Sequence, residues 1–190
     1  MKKLCLLLVV SIALLMGANA FAGTIINPNQ INYTTSMSSF YWLTGDLTDG
    51  TANADWWNDS AWLGFGPYQY LTIDFDLGAT YTLDSVSPTY VVVSAWSQWA
   101  PIQVDLTFSN DGTNYGNLVT ATSFTNIDYA ANTVSIGVPN VTCQYVKAVF
   151  TAPADAQWHR LSEVAFTEVP EPTTMSLLGI GLVALIRRKK

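Results

Sequence analysis

Two short stretches set flat aromatic rings beside hydrogen-bonding side chains: Trp96-Ser97-Gln98-Trp99 and Trp158-His159-Arg160. An indole can bury the apolar C–H face of a sugar ring while neighbouring polar groups bond its hydroxyls. On that chemistry Trp96, Gln98, Trp99, Trp158, His159 and Arg160 are candidates for a carbohydrate-binding surface. The rings would stack, and Gln98, His159 and Arg160 would bond hydroxyls. Each has a plainer alternative. The indoles can be core plugs or loop anchors, His159 a satisfied buried imidazole, and Arg160 a buried cation bonded to loop carbonyls. Trp56 and Trp57, in a loop rich in Asp, Asn and Thr, supply the bulk that holds such a loop down.

Catalysis has little to work with. A single histidine excludes a multi-histidine zinc site. His159, Ser162 and an aspartate could be imagined as a triad, but no nucleophile-elbow sequence surrounds the serine. Asp46, Asp49, Asp55 and Asp59 cluster in one loop, whereas a glycosidase needs two carboxyls flanking a cleft with separated pKa values. Four acids in one loop fit a bound cation or plain solvation better, and the chain reads as non-enzymatic.

Charge is unevenly distributed. Six of the eight Lys and Arg lie at the two ends, and only Lys147 and Arg160 lie between. Thirteen of the fourteen acids, all but Glu171, share that central region, so two cations face thirteen acids for a net charge of −11. Such a surface repels phosphate backbones, so nucleic acid is excluded as a partner, and neutral sugars or divalent cations fit better. Of the two cysteines, Cys5 lies in the leader. Cys143 is then alone in the mature chain and reads as a small buried apolar side chain.

The elements that must position these residues read as strands. Residues 1–22 form a secretory leader: Lys2-Lys3, an apolar core, then Ala18-Asn19-Ala20 or Ala20-Phe21-Ala22 as a small-x-small cleavage site. Residues 23–41 are polar and suit a first strand or a draped loop. Residues 70–77 alternate, with Leu71, Ile73, Phe75 and Leu77 on one face and Thr72, Asp74 and Asp76 on the other, and Gly78 is expected to end that strand. Residues 81–86 and 89–94 are β-branched runs divided by Pro88. Residues 102–108 alternate again, and Ser109-Asn110-Asp111-Gly112 is a hairpin signal. Further strands are expected at 119–124, 133–138, 144–150 and 163–167. No stretch of the central region carries a 3.6-residue apolar period, so residues 23–168 read as one all-β sandwich.

The C-terminal stretch has its own logic. Pro170-Glu171-Pro172 is a rigid hinge, since each proline fixes φ and lacks an N–H. Residues 173–186 are apolar, and Arg187-Arg188-Lys189-Lys190 form a basic stop. Fourteen apolar residues span about 21 Å as a helix, short of a stable membrane span. Cations after an apolar segment stay on the cytoplasmic side, leaving the rest of the chain outside. In order, spacing and composition, residues 169–190 resemble the PEP-CTERM sorting signal. The resemblance implies transient inner-membrane retention through this segment, recognition and cleavage at Pro170, Glu171 and Pro172 by an exosortase, and delivery to the cell surface or outside.

A second resemblance covers residues 46–168. Asp49-Gly50, Trp56, Tyr70-Leu71-Thr72-Ile73-Asp74-Phe75-Asp76-Leu77-Gly78, Pro101-Ile102-Gln103-Val104, Ser109-Asn110-Asp111-Gly112-Thr113-Asn114-Tyr115, Gln144-Tyr145-Val146-Lys147 and Leu161-Ser162-Glu163-Val164 occur in the order of the factor 5/8 type C, or discoidin, family. That family includes the family-32 carbohydrate-binding modules and is galactose-binding-like. The resemblance implies an antiparallel jelly-roll β-sandwich with ligand loops at one end, ligand contacts near Trp96 to Trp99, and Trp56 as a structural anchor. It also implies a structural Ca²⁺ held by Asp49 and Glu163 with carbonyls near Leu47 and Ala54. Ala54 departs from the family's frequent Thr, removing a side-chain oxygen. The expected protein is an exported surface or matrix module that binds a glycan or exopolysaccharide. The alternative is a structural matrix protein of the same fold without a sugar site, acting through its acidic, cation-bridged surface.

Overall fold

The structure is a computed structural model that describes residues 23–38, 45–52, 59–66, 70–156 and 158–169. The leader, Ala54, Asp55, Trp56, Trp57 and the Pro170-Glu171-Pro172 tail lie outside the described residues. The chain divides into two compact units, Met1–Thr24 with Val169–Lys190, and Ile25–Glu168. The fold described here is that of the second.

Its elements are β1 (Thr24–Ile25), β2 (Asn32–Thr35), β3 (Leu63–Phe65), β4 (Tyr70–Val92), β5 (Gln103–Ser109), β6 (Gly116–Ala121), β7 (Ala130–Thr133), β8 (Ile136–Thr151) and β9 (His159–Glu168), with three short 3-10 turns. The pairings among β2 to β9 are antiparallel. The hydrogen-bonded order is β1-β9-β4-β8-β5-β6, with β2 and β7 also on β4 and β3 on β9. β4 explains why this path is continuous. Its first half pairs with β2 and β8, its second half with β9 and β7, so it crosses from one layer of the sandwich to the other.

The alternation at 71–77 sets the inner face. Leu71, Ile73, Phe75 and Leu77 are buried, whereas Thr72, Asp74 and Asp76 are part-exposed. Phe75 meets Phe166 of β9 edge-on, with ring centroids 5.0 Å apart. Those two residues belong to different layers, and Val104, Leu106, Val146, Ala148, Phe150 and Val164 fill the space around them. Cys143 is fully buried here, and burial pushes its thiol up to about 12, so it is a packing residue.

Two boundaries differ from expectation. Gly78 does not end its strand; β4 runs on to Val92. The glycine instead sits in a bulge, where the β4–β8 register shifts between Asp76 and Tyr81. Its φ is +77°, and a Cβ there would lie 2.9 Å from the Gln30 carbonyl oxygen. Asp76 Oδ1 accepts its N–H at 2.9 Å. A Gly78→Ala chain is therefore expected to lose about 1–2 kcal/mol, read as a lower urea midpoint at unchanged m-value.

Pro88, expected to divide two strands, lies inside β4. β8 leaves β4 after the Val86–Ile136 pair, and β7 begins at Thr89–Thr133. In that gap the Pro88 carbonyl accepts the Val134 N–H, and the missing proline donor falls on the same side, where no ladder bond requires it. The runs expected at 133–138 and 144–150 are likewise redistributed, residues 136–151 forming one strand. The expected hairpin joins β5 to β6: Gly112 has φ +70°, and Asp111 Oδ1 accepts the Thr113 and Asn114 N–H groups.

Candidate functional site

The loop carrying Trp96 is closed on itself. Val93 and Gln98 bond each other's backbones, N–H to carbonyl in both directions, at 2.9 and 3.2 Å. Between them Ser94–Trp96 form a 3-10 turn, and Ser97 takes a left-handed φ of 51° to bring the chain back. Asp128 pins the start of the turn by accepting the Ser94 N–H at 2.8 Å and its hydroxyl at 2.5 Å. These bonds depress the exposed Asp128 carboxyl below its ordinary range. The tip side chain is Trp96, half exposed at 50%.

Gln98 then makes a parallel bridge to Trp158. This bridge brings together the two aromatic stretches, separated by some sixty positions in the chain. Trp99 and Trp158 are both half-buried. Gln98 Oε1 and Trp99 Nε1 are buried and lack a hydrogen-bond partner among the described residues.

The polar candidates require a correction of place. Gln98, His159 and Arg160 are not at loop tips: they are 5%, 6% and 5% exposed. His159 and Arg160 lie in β9, paired with Phe65 and Gly64 of β3. β9 starts at His159, four residues before the strand expected at 163–167, because β3 supplies a partner that periodicity alone does not reveal. Ser162 is also buried.

Asp49 and Glu163 meet at a second locus. Glu163 is 4% exposed, and Oε2 accepts the Gly50 N–H at 3.0 Å. Asp49 Oδ1 accepts the Thr51 N–H at 2.7 Å. Burial, and then the neighbouring Asp49 carboxyl, push Glu163 up to about 7, against the pull of the Gly50 and Thr51 N–H groups. A hard cation between the two carboxyls would offset the repulsion between them. The Leu47 carbonyl accepts the Val164 N–H at 2.8 Å and keeps a second lone pair. Among the described residues no cluster of three or more metal-binding side chains exists. The remaining oxygens would therefore come from carbonyls and water. Asp46 is used locally, with Oδ1 accepting the Thr48 N–H at 3.0 Å.

The profile of the PEP-CTERM protein-sorting motif matches residues 168–190. No curated protein sequence matches the chain. Among solved structures, a fucose binding module of Streptococcus pneumoniae superposes with TM-score 0.57 at 14% identity, covering 77% of this chain and 96% of that one. A family 32 carbohydrate-binding module from a family 31 glycoside hydrolase of Clostridium perfringens superposes with TM-score 0.55 at 11% identity, covering 76% and 94%. A further family 32 module of C. perfringens, solved with galactose, gives 0.51 at 13% identity, covering 76% and 98%. At these identities the likeness is one of fold. The chain thus folds as an all-β sandwich similar to that of family 32 carbohydrate-binding modules, and its residues 168–190 match the PEP-CTERM protein-sorting motif.

Proposed function

We propose that the protein is an exported, non-catalytic carbohydrate-binding module that acts at the cell surface or in the extracellular matrix. The observation that carries this reading is the Gln98–Trp158 bridge, which sets Trp96, Trp99 and Trp158 around one loop cluster of a sandwich whose structural relatives include sugar complexes. Trp96 supplies an exposed ring. Trp99 and Trp158 present part of theirs, with Gln98, His159 and Arg160 behind them. The ligand class is a neutral glycan of the envelope or an exopolysaccharide, since the central region carries an excess of acids.

Ca²⁺ belongs to this proposal as a structural ion at Asp49 and Glu163, where it would neutralise the paired carboxyls and tie the Gly50 turn to β9. Pro170, Glu171 and Pro172 are the site at which an exosortase would cut, after the apolar segment has held the chain at the inner membrane.

Trp158→Ala and Trp99→Ala are each expected to weaken glycan binding about 10-fold, because a stacked ring is the main apolar contact available to a sugar. Affinity electrophoresis in polysaccharide gels measures this, with circular dichroism to confirm that each variant folds. Wild-type protein that is retarded by no polysaccharide, yet self-associates with Ca²⁺, would favour the matrix-protein alternative instead.

A further inference from the structure

A groove of about 370 Å³ lies on the solvent face of the sheet rather than at the loops. Its floor follows from strand register. Asp74 of β4 is flanked by Thr34 of β2 and Lys147 of β8; Asp76 is flanked by Asn32 and Tyr145. Alternation sends all of these side chains outward, opposite the buried Ile73, Phe75 and Val146. One wall is the β5–β6 loop, with Gly112 and Tyr115. Gly112 rests against the Tyr145 ring, where even an added Cβ would make contact at 3.5 Å.

The polar groups are already braced. Lys147 Nζ is 3.4 Å from Asp74 Oδ1 and 4.4 Å from the centroid of the Tyr115 ring. The Tyr115 hydroxyl bonds Asp74, and burial, followed by that carboxylate, raises it above its ordinary range. Asp76 Oδ1 accepts from Gln144 Nε2 at 3.0 Å, and the same amide bonds the Tyr145 hydroxyl at 3.2 Å. A cross-strand ion pair on a flat exposed face would need no such walls. Here two tyrosines, two carboxylates and an ammonium are held around a concavity in the size range of small-ligand sites. Groups fixed in advance bind at low entropic cost.

We propose that this groove is a second saccharide-binding site, taking a neutral or amine-bearing pyranoside and working independently of the Trp99–Trp158 loops. The tyrosine rings offer apolar faces, and Asp76, Asn32 and Lys147 offer hydrogen bonds to hydroxyls. Asp74 and Asp76 outnumber Lys147, which Asp74 already neutralises, and Asp111 adds negative charge beside Tyr115. The groove therefore disfavours uronic acids and sulfated sugars and suits an amine. The groove floor lies level with Thr107 and Ser109 in the last part of β5, whereas Trp96 and Trp99 precede that strand in the chain. One chain could then engage two points of a polysaccharide, with the avidity that such linkage brings.

The test is an NMR titration of isotope-labelled full-length protein in mild detergent with three probes: galactose, glucosamine and glucuronate. Galactose or glucosamine is expected to move the backbone amides of Gly112, Tyr145 and Lys147, and glucuronate to leave them in place. Tyr115→Ala is expected to raise the Kd for those shifts about 10-fold without altering any shifts of the Trp99 and Trp158 indoles. Lys147→Met is a second variant that keeps the stem and removes the charge. The proposal is overturned if galactose and glucosamine leave the three groove amides still, if glucuronate moves them as readily, or if their shifts persist unchanged in both variants. Shifts at the groove with silent indoles would sink the loop-site reading and leave the groove standing. Shifts at the indoles alone would do the reverse.

Discussion

Saturating Ca²⁺ is expected to raise the melting temperature by roughly 5–10 °C at pH 8, and by less than half of that at pH 5.5. The reason is the Asp49–Glu163 pair. Burial and the adjacent Asp49 carboxyl raise Glu163 from its ordinary 4.5 to about 7. For an acid whose folded pKa is raised, the folded state holds a proton that the unfolded state releases. The metal-free protein is therefore most stable, so far as this group decides, below about pH 4.5, and loses stability as pH rises through 7. With one pKa unit worth about 1.4 kcal/mol, the loss at pH 8 is roughly 3 kcal/mol. Ca²⁺ supplies the opposite charge that the proton supplied at lower pH, so its effect is largest where the proton is gone. Glu163→Gln separates the terms. The amide oxygen can still accept the Gly50 N–H, so the metal-free variant is expected to be more stable than wild type at pH 8, and insensitive to Ca²⁺. Melting curves in Ca²⁺ and in chelator at both pH values measure all four cases. Equal curves with and without Ca²⁺ in the wild type would remove the metal from the proposal, while the Glu163→Gln gain would still test the carboxyl pair.

Phe75→Ala is expected to cost about 3–5 kcal/mol, a large share of the stability of a domain this size. Phe75 is 1% exposed. It packs edge-on against Phe166 at 5.0 Å and tilted against Tyr33 at 6.0 Å. Phe75 sits on the part of β4 paired with β2 and β8, whereas Phe166 pairs with the other half of β4 through β9. Their contact is thus between layers rather than along one sheet, and truncation opens a cavity that neither layer can close alone. Thr72→Ala, one residue from Ile73 but on the wet face, is expected to change stability by less than about 0.5 kcal/mol. Urea unfolding of both variants reads the difference. A loss below about 1.5 kcal/mol at Phe75 would mean that the layers are held together elsewhere.

The alternation at 71–77 and 102–108, the Ser109-Asn110-Asp111-Gly112 turn and the missing helical period were enough to read an all-β sandwich, because each is a property of a few neighbouring residues. The tail at 169–190 was equally legible, since its order of proline hinge, apolar run and cations is linear. Where strands ended was less so. Gly78 and Pro88 look like breaks in isolation, yet the bulge between Asp76 and Tyr81 and the gap between β8 and β7 absorb both, and only pairing partners decide that. The same limit applies to the sites. Trp99 and Trp158 could be named as rings but not joined, because the Gln98–Trp158 bridge depends on where two distant strands come to lie. His159 and Arg160 looked like loop residues until β3 paired with β9 and buried them. The outward residues Asp74, Asp76, Tyr145 and Lys147 were visible as the wet positions of their strands. That they share one groove was decided by register, and register is a relation between strands that no local pattern contains.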